Sequence, residues 1–220
     1  MLSLIDILIT INSVKNKEVG MFKKLASEAL GLSDVGVIVA PQDYNKVDAD
    51  DYLFQEDGEK IFFLIKSKKD EYCFTNFALI HVDGDSAVSS KRTIKRYDYS
   101  TSFIEQVRIE TAGTIDMDVE LKFIIEGISF SIDVRKTYLE QLKDIYKTLI
   151  SIHKRQVADE ICRDNVVVAL NATASIYKLN TATNGEVVGQ FKELLSQLNT
   201  SLLVTHTKRD YSDVFNKYIH

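Results

Sequence analysis

A chain of 220 residues that is 45% apolar and 27% charged reads as an ordinary soluble globule: one large domain, or one domain plus a small second one. Its net charge of −5 excludes a general nucleic-acid binder, which needs a basic face. No apolar run approaches the roughly 18–20 residues of a membrane span.

The acidity is local. Residues 1–58 hold five Lys/Arg against ten Asp/Glu, whereas 59–155 hold sixteen against fifteen and 156–220 six against seven. Cys73 and Cys162 stand far apart in apolar company, which predicts two buried free thiols in a reducing cytoplasm and no disulfide framework or metal pair.

The first 20 residues contain a short apolar segment from Leu2 to Ile11 that holds Asp6 and has neither a basic start nor a small-residue cleavage site. It fits a signal peptide poorly. Two readings stand: an N-terminal element that packs on the domain, or a native start at Met21, since Lys17-Glu18-Val19 can be encoded as a ribosome-binding sequence. From Met21 to Leu30 the spacing predicts a helix with Phe22, Leu25, Ala26 and Ala29 on one face and Gly31 just past its end. Val35 to Val39 predicts a short strand stopped by Pro41. The acidic run from Asp43 to Asp51 fails the calcium-loop template, because its ligand alternation breaks and the sixth position is not glycine. It is read as a solvated connection with a short helix at 48–54.

Residues 59–154 predict about seven strands and then a long amphipathic helix. Glu59–Ser67, Glu71–Asn76 and Phe77–Val82 follow one another, with a lysine-rich turn after the first and an Asp83-Gly84 turn after the third. Ser90–Tyr99 alternates with polar residues on both faces. Phe103–Thr111, Asp116–Ile125 and Ile128–Ile132 complete the set, with Gly113 and Gly127 in the turns. In Asp116–Phe123 the alternation is strict, with Met117, Val119, Leu121 and Phe123 opposite Asp116, Asp118, Glu120 and Lys122. A helix from Asp133 to about His153 carries Val134, Tyr138, Leu142, Ile145, Leu149 and Ile152 on one stripe, placed to plug the sheet. Beyond it the pattern is wholly helical, with segments at 157–179, 187–198 and 211–218.

The runs Asp70-Glu71-Tyr72-Cys73-Phe74-Thr75-Asn76, Ser89-Ser90-Lys91-Arg92 and Glu110-Thr111-Ala112-Gly113-Thr114 with Asp116-Met117-Asp118 resemble the bacterial pleckstrin-homology-like (PH-like) domain family. The match is closest to its YvbH-like branch, which carries a helical C-terminal extension. The start Met21-Phe22-Lys23-Lys24-Leu25 also resembles that branch. The resemblance implies a mainly β plus α fold: a seven-stranded bent antiparallel barrel capped by a C-terminal amphipathic helix, then a helical extension. It divides the chain into an N-terminal extension (1–20), a PH-like domain with a leading helix (21–155) and a helical extension (156–220). It also implies ring-like homo-oligomers, and neither an activity nor a ligand.

Three clusters are candidates for chemistry. Asp116, Asp118 and Glu120 share a strand face and, as neighbouring carboxylates, could bind a metal or act as an acid–base pair. A wet strand face balanced by Lys122 and by cross-strand residues such as Arg92 or Arg96, or a subunit contact in which this acidic face meets the basic face of Arg92 and Arg96 from another copy, competes with that reading. Lys66, Lys68 and Lys69 in the first turn could clamp lipid phosphates, but lysines are weak point-charge ligands, and Asp70 and Glu71 adjoin them. His81 is read at a strand end and His153 near a helix C-terminus, with no nucleophile arranged beside either. The chain is read as a cytoplasmic, non-enzymatic, self-assembling scaffold or protein-interaction module without a cofactor or bound metal. A phospholipid adaptor is the first rival and a metal-dependent enzyme at Asp116/Asp118/Glu120 the second.

Overall fold

The computed structural model describes residues 33–84, 92–111, 118–179, 185–207 and 209–220. The expectations for the leading helix, for residues 1–20, for Asp116 and for Gly113 lie outside them.

Among the described residues, eight strands form two antiparallel sheets. The first has the order β1 (Val37–Ile38), β2 (Ile61–Lys66), β3 (Glu71–Thr75), β4 (Ala78–Gly84), β5 (Arg92–Asp98). The second is β6 (Ile104–Thr111), β7 (Asp118–Ile125), β8 (Ile128–Arg135). Seven of these strands lie within 59–154, and β1 is the short strand expected before Pro41. An isolated parallel bridge, Gly36 to Val134, joins the sheets. A side chain at Gly36 would have its Cβ 2.9 Å from the Asp133 carbonyl oxygen, so glycine lets the two chains approach.

Alternation sets which face is dry. In β7, Val119, Leu121, Phe123 and Ile125 are buried while the residues between them stay half-exposed. β8 repeats the pattern with Phe130, Ile132 and Val134. The β7–β8 turn is Glu126-Gly127, both left-handed (φ 51° and 74°), the geometry that continues the strand twist.

Asp83-Gly84 does not form the expected turn. Both residues belong to β4 and pair with Thr93 and Arg92 of β5. Gly84 instead serves close packing, since a Cβ there would meet the Lys69 carbonyl oxygen at 2.7 Å.

The closing helix also starts later than its spacing suggests. Val134 pairs with Val119 inside the sheet, and a 3-10 turn at Lys136–Tyr138 leads into α1 (Leu139–Leu179). The register with β7 holds the chain extended to Arg135, overriding a helical period that happens to be in phase. Leu142, Ile145, Leu149 and Ile152 of α1 are fully buried between the sheets, as the stripe predicts.

α1 runs unbroken through the 157–179 segment that its sequence suggests is separate. α2 (Gly185–Thr207) follows, and α3 (Ser212–Tyr218) brings Tyr211, Val214 and Phe215 into the same core as the strands. A second, smaller core lies on the other side of the five-stranded sheet. There Leu64, Cys73, Ile80 and Val82 meet Val39, Val47 and Ala49 of the acidic connection, which winds through short 3-10 turns at 41–46, 48–52 and 55–57.

Candidate functional site

The basic and acidic strand faces expected to meet between copies lie on different sheets of the chain. Arg92 and Arg96 are on β5, while Asp118 and Glu120 are on β7 of the other sheet. Arg96 is engaged inside the chain, donating to Glu59 Oε2 at 3.0 Å and Asp98 Oδ1 at 2.8 Å, with its guanidinium 4.7 Å above the Phe54 ring. Glu59 is a buried carboxylate satisfied also by Thr75 Oγ1 at 2.6 Å and the Phe54 N–H at 2.8 Å. A buried charge with several donors is a structural junction. It fastens the acidic connection to the sheet. Arg92 adds an outer contact, its Nε 3.6 Å from Asp48.

The three lysines also separate. Lys66 is buried and paired with Glu71, whose carboxylate also accepts the backbone N–H groups of Asp48 (3.2 Å) and Ala49 (2.9 Å). Lys68 and Lys69 alone of the three are exposed at the turn. The antiparallel pairing of β2 with β3 places Lys66 and Glu71 opposite each other, a register the turn lysines conceal in the sequence.

On the outer face of the three-stranded sheet, pairing lines up Glu110, Glu120 and Asp133 in one row across β6, β7 and β8. Lys122 sits in that row's charge, reaching Glu110 and Glu120 at 2.6 Å each, while Arg108 holds Glu110 at 3.0 Å. Ser131 donates to Glu120 at 3.2 Å. The Lys122 hydrogen bond holds Glu120 below its ordinary value; burial, then the Glu120 carboxylate beside it, pushes Asp133 above its own. Among the described residues no group of three or more His, Cys, Asp or Glu could hold a metal ion.

The sign of this arrangement is testable. A carboxyl whose folded pKa is raised loses stability as pH climbs from its unfolded value through its folded one. Asp133→Asn is therefore expected to stabilise the protein at pH 7, by about 0.5 kcal/mol for an exposed like-charge cross-strand pair. The gain should vanish below the ordinary aspartate range. Urea denaturation at pH 7 and pH 3 would measure it, and equal effects at both pH values would refute the account.

His81 lies inside β4, not at a strand end. It stacks on Tyr72 (4.6 Å between centroids) with Nε2 3.2 Å from Asp70 Oδ1. His153 lies mid-helix in α1. Cys73 is buried as expected, and burial pushes its thiol well up, which makes it inert. Cys162 is exposed on α1, contrary to expectation.

The helical extension expected over 156–220 is present, but its first segment continues α1 without a break and projects with α2 as a hairpin. At its base, Gln156 is buried and hydrogen-bonded to the chain between β5 and β6. Arg155 grips Asp213 through two bonds of 2.7 and 2.6 Å, and Arg209 lies 3.3 Å from Asp159. Beyond the base α1 continues for 23 residues, about 35 Å, and the 23 residues of α2 bring the chain back by the same length. From Val157 to Thr200 no described side chain is buried. Val166, Leu170, Phe191, Leu195 and Leu198 are half-buried, and Ile161, Val167, Val168, Val188 and Leu194 are exposed. Residues 165–177 and 194–207 contain no Lys, Arg, Asp or Glu. That absence of charge was the available signal, since a solvated helix face carries charge.

The sequence matches the bacterial PH domain family over residues 29–153 and the YvbH-like oligomerisation region over 168–220. It is 49% identical over 203 residues to the uncharacterized protein YvbH of Bacillus subtilis strain 168, covering 91% of this chain and 100% of that one. It is 33% identical over 98 residues to uncharacterized YjqA of the same organism, covering 44% and 76%. A crystal structure of a PH domain containing protein from Exiguobacterium sibiricum superposes with a TM-score of 0.74 at 42% identity, covering 85% of this chain and all of that one. The fold is PH-like, with antiparallel sheets and a C-terminal helix. No helix among the described residues is long and apolar enough to cross a membrane.

Proposed function

This chain belongs to the bacterial PH domain family, and from that premise we propose that it is a homo-oligomeric scaffold whose copies meet through the α1–α2 hairpin. One observation carries the reading: 23 residues of α1 and most of α2 leave the core without burying a described side chain, yet long stretches of both lack charge. An apolar surface of this kind on a projecting element marks an interaction site. The occupant is a second copy, because the match to an oligomerisation region spans the distal part of α1, all of α2 and α3. If the contact is heterologous and its rotation closes, the assembly is a ring. The scaffold acts by presenting PH-like units side by side and not by catalysis.

A phospholipid adaptor is the weaker reading, since Lys66 is held inside by Glu71 and leaves two exposed lysines at the turn. Light scattering after gel filtration tests the proposal. The full chain is expected at a discrete multiple of 25.0 kDa. Ile161→Asp with Val168→Asp, both at exposed positions, should reduce it to the monomer mass with an unchanged circular dichroism spectrum. A monomeric wild type, or a double variant that keeps the multiple, would defeat the proposal.

A further inference from the structure

A cavity of about 250 Å³ lies where β1, the 41–46 turn, β2, the start of α1 and the last two residues of the chain converge. Its walls are Ile38, Val39, Phe62, Phe63, Tyr44 and Tyr138. Tyr44 donates its hydroxyl hydrogen to the Phe62 carbonyl at 3.3 Å, so that hydroxyl faces a ligand only as an acceptor. At the mouth stand Gln141, Asp144 and His220, and among the described residues no lysine or arginine lines the site. Asp144 is met by Lys147 from the helix surface at 3.0 Å through Oδ1. Oδ2 takes no part in that bond.

An apolar cavity of about 150 Å³ holds a benzene ring. The larger space here holds a phenyl ring with a short chain, and such pockets bind by enclosing an apolar body while a few polar groups fix its orientation. The Asp144 carboxylate at the mouth, with the Gln141 amide oxygen beside it, selects the polar end. We propose that this cavity binds a small organic amine, with its aromatic or short aliphatic body among the wall residues and its protonated amine at Asp144. Aromatic walls also favour a cation near the rim. The site lies on the PH-like unit, away from the hairpin, and does not depend on self-association.

Isothermal titration of the full chain with 2-phenylethylamine and with 3-phenylpropionate, which has a similar body and the opposite charge, tests this. The amine should bind saturably and the acid at least about fivefold more weakly, a modest ratio because Asp144 is partly solvated. Gln141→Trp, at an exposed helix position, should block the mouth and abolish amine binding. Asp144→Asn should bring the two ligands to similar affinity. Both variants are checked for an unchanged melting transition. No saturable amine binding, equal binding of amine and acid to the wild type, or undiminished binding to Gln141→Trp would each overturn the proposal.

Discussion

Phe215→Ala is expected to lower stability by about 3–5 kcal/mol, the range for emptying a buried phenylalanine site. That is a large part of the 5–15 kcal/mol typical of a whole domain. Phe215 comes from a helix of seven residues at the far end of the chain. Such a helix has too few turns to persist alone, so docking has to hold it. Phe215 is fully buried, stacks on Phe62 at 4.9 Å and lies 6.5 Å from the Tyr99 ring. Next to it, Tyr211 meets Tyr99 edge-on at 5.7 Å and donates its backbone N–H to Asn76 O at 3.0 Å. The Arg155–Asp213 bridge fastens the same helix from outside, and its hydrogen bonds hold Asp213 below its ordinary value. This bridge contributes above the ordinary aspartate range and is lost as pH falls through the lowered value. Urea denaturation of the variant measures the effect. A midpoint shift worth less than about 1 kcal/mol would mean that α3 is a dispensable tail.

The position of Phe215 also decides how the chain can be shortened. Ending it at residue 155 removes Tyr211, Val214 and Phe215 from the core that holds Tyr99 and Phe123. Excising 157–207 and joining the ends keeps those contacts and removes the hairpin alone. The two deletions separate folding from assembly.

Which parts of this architecture the sequence reveals follows from the range of the interactions. The strict alternation in Asp118–Phe123 and the stripe Leu142, Ile145, Leu149, Ile152 are local periodicities, and each buries the residues it names. The end of β8 is not local. Val134 fits a helical stripe in sequence, and only its pairing with Val119 across the sheet makes it a strand residue. Lys66 looks like a turn lysine until β3 returns Glu71 beside it. Arg96 looks available for a partner until Glu59, 37 positions away, is found buried against it. The candidate charged surfaces were thus legible as charges but not as pairs. The α3 helix shows its apolar residues plainly, while the surface they cover, at Phe62 and Tyr99, lies far upstream and could not be read from them.

Gln156→Leu is the second large effect, at about 3 kcal/mol. Gln156 is only 3% exposed and uses its whole amide. Nε2 donates to the carbonyl oxygens of Tyr99 (2.7 Å) and Ser102 (2.8 Å), and Oε1 accepts the Ile104 N–H at 3.0 Å. Tyr99 and Ser102 belong to the passage from β5 to β6, where the chain leaves one sheet for the other, and Ile104 is the first residue of β6. Leucine keeps the volume and leaves one N–H and two carbonyls unpaired, and each buried group so stranded costs about 1–3 kcal/mol, less for a carbonyl. Gln156→Glu separates hydrogen bonding from size. Its carboxylate can still accept from Ile104, but it faces two carbonyl oxygens with no donor, so burial and repulsion raise its pKa. Its destabilisation at pH 7 should exceed that of leucine and shrink as pH falls, when the protonated acid regains one donor. Denaturation of both variants at pH 7 and pH 5 checks the pair. If leucine costs less than about 1 kcal/mol, or glutamate shows no pH dependence, the clamp is not what ties α1 to the sheet junction. If both behave as argued, the hairpin projects from a base fixed at Gln156, and its direction relative to the PH-like unit is set by that amide.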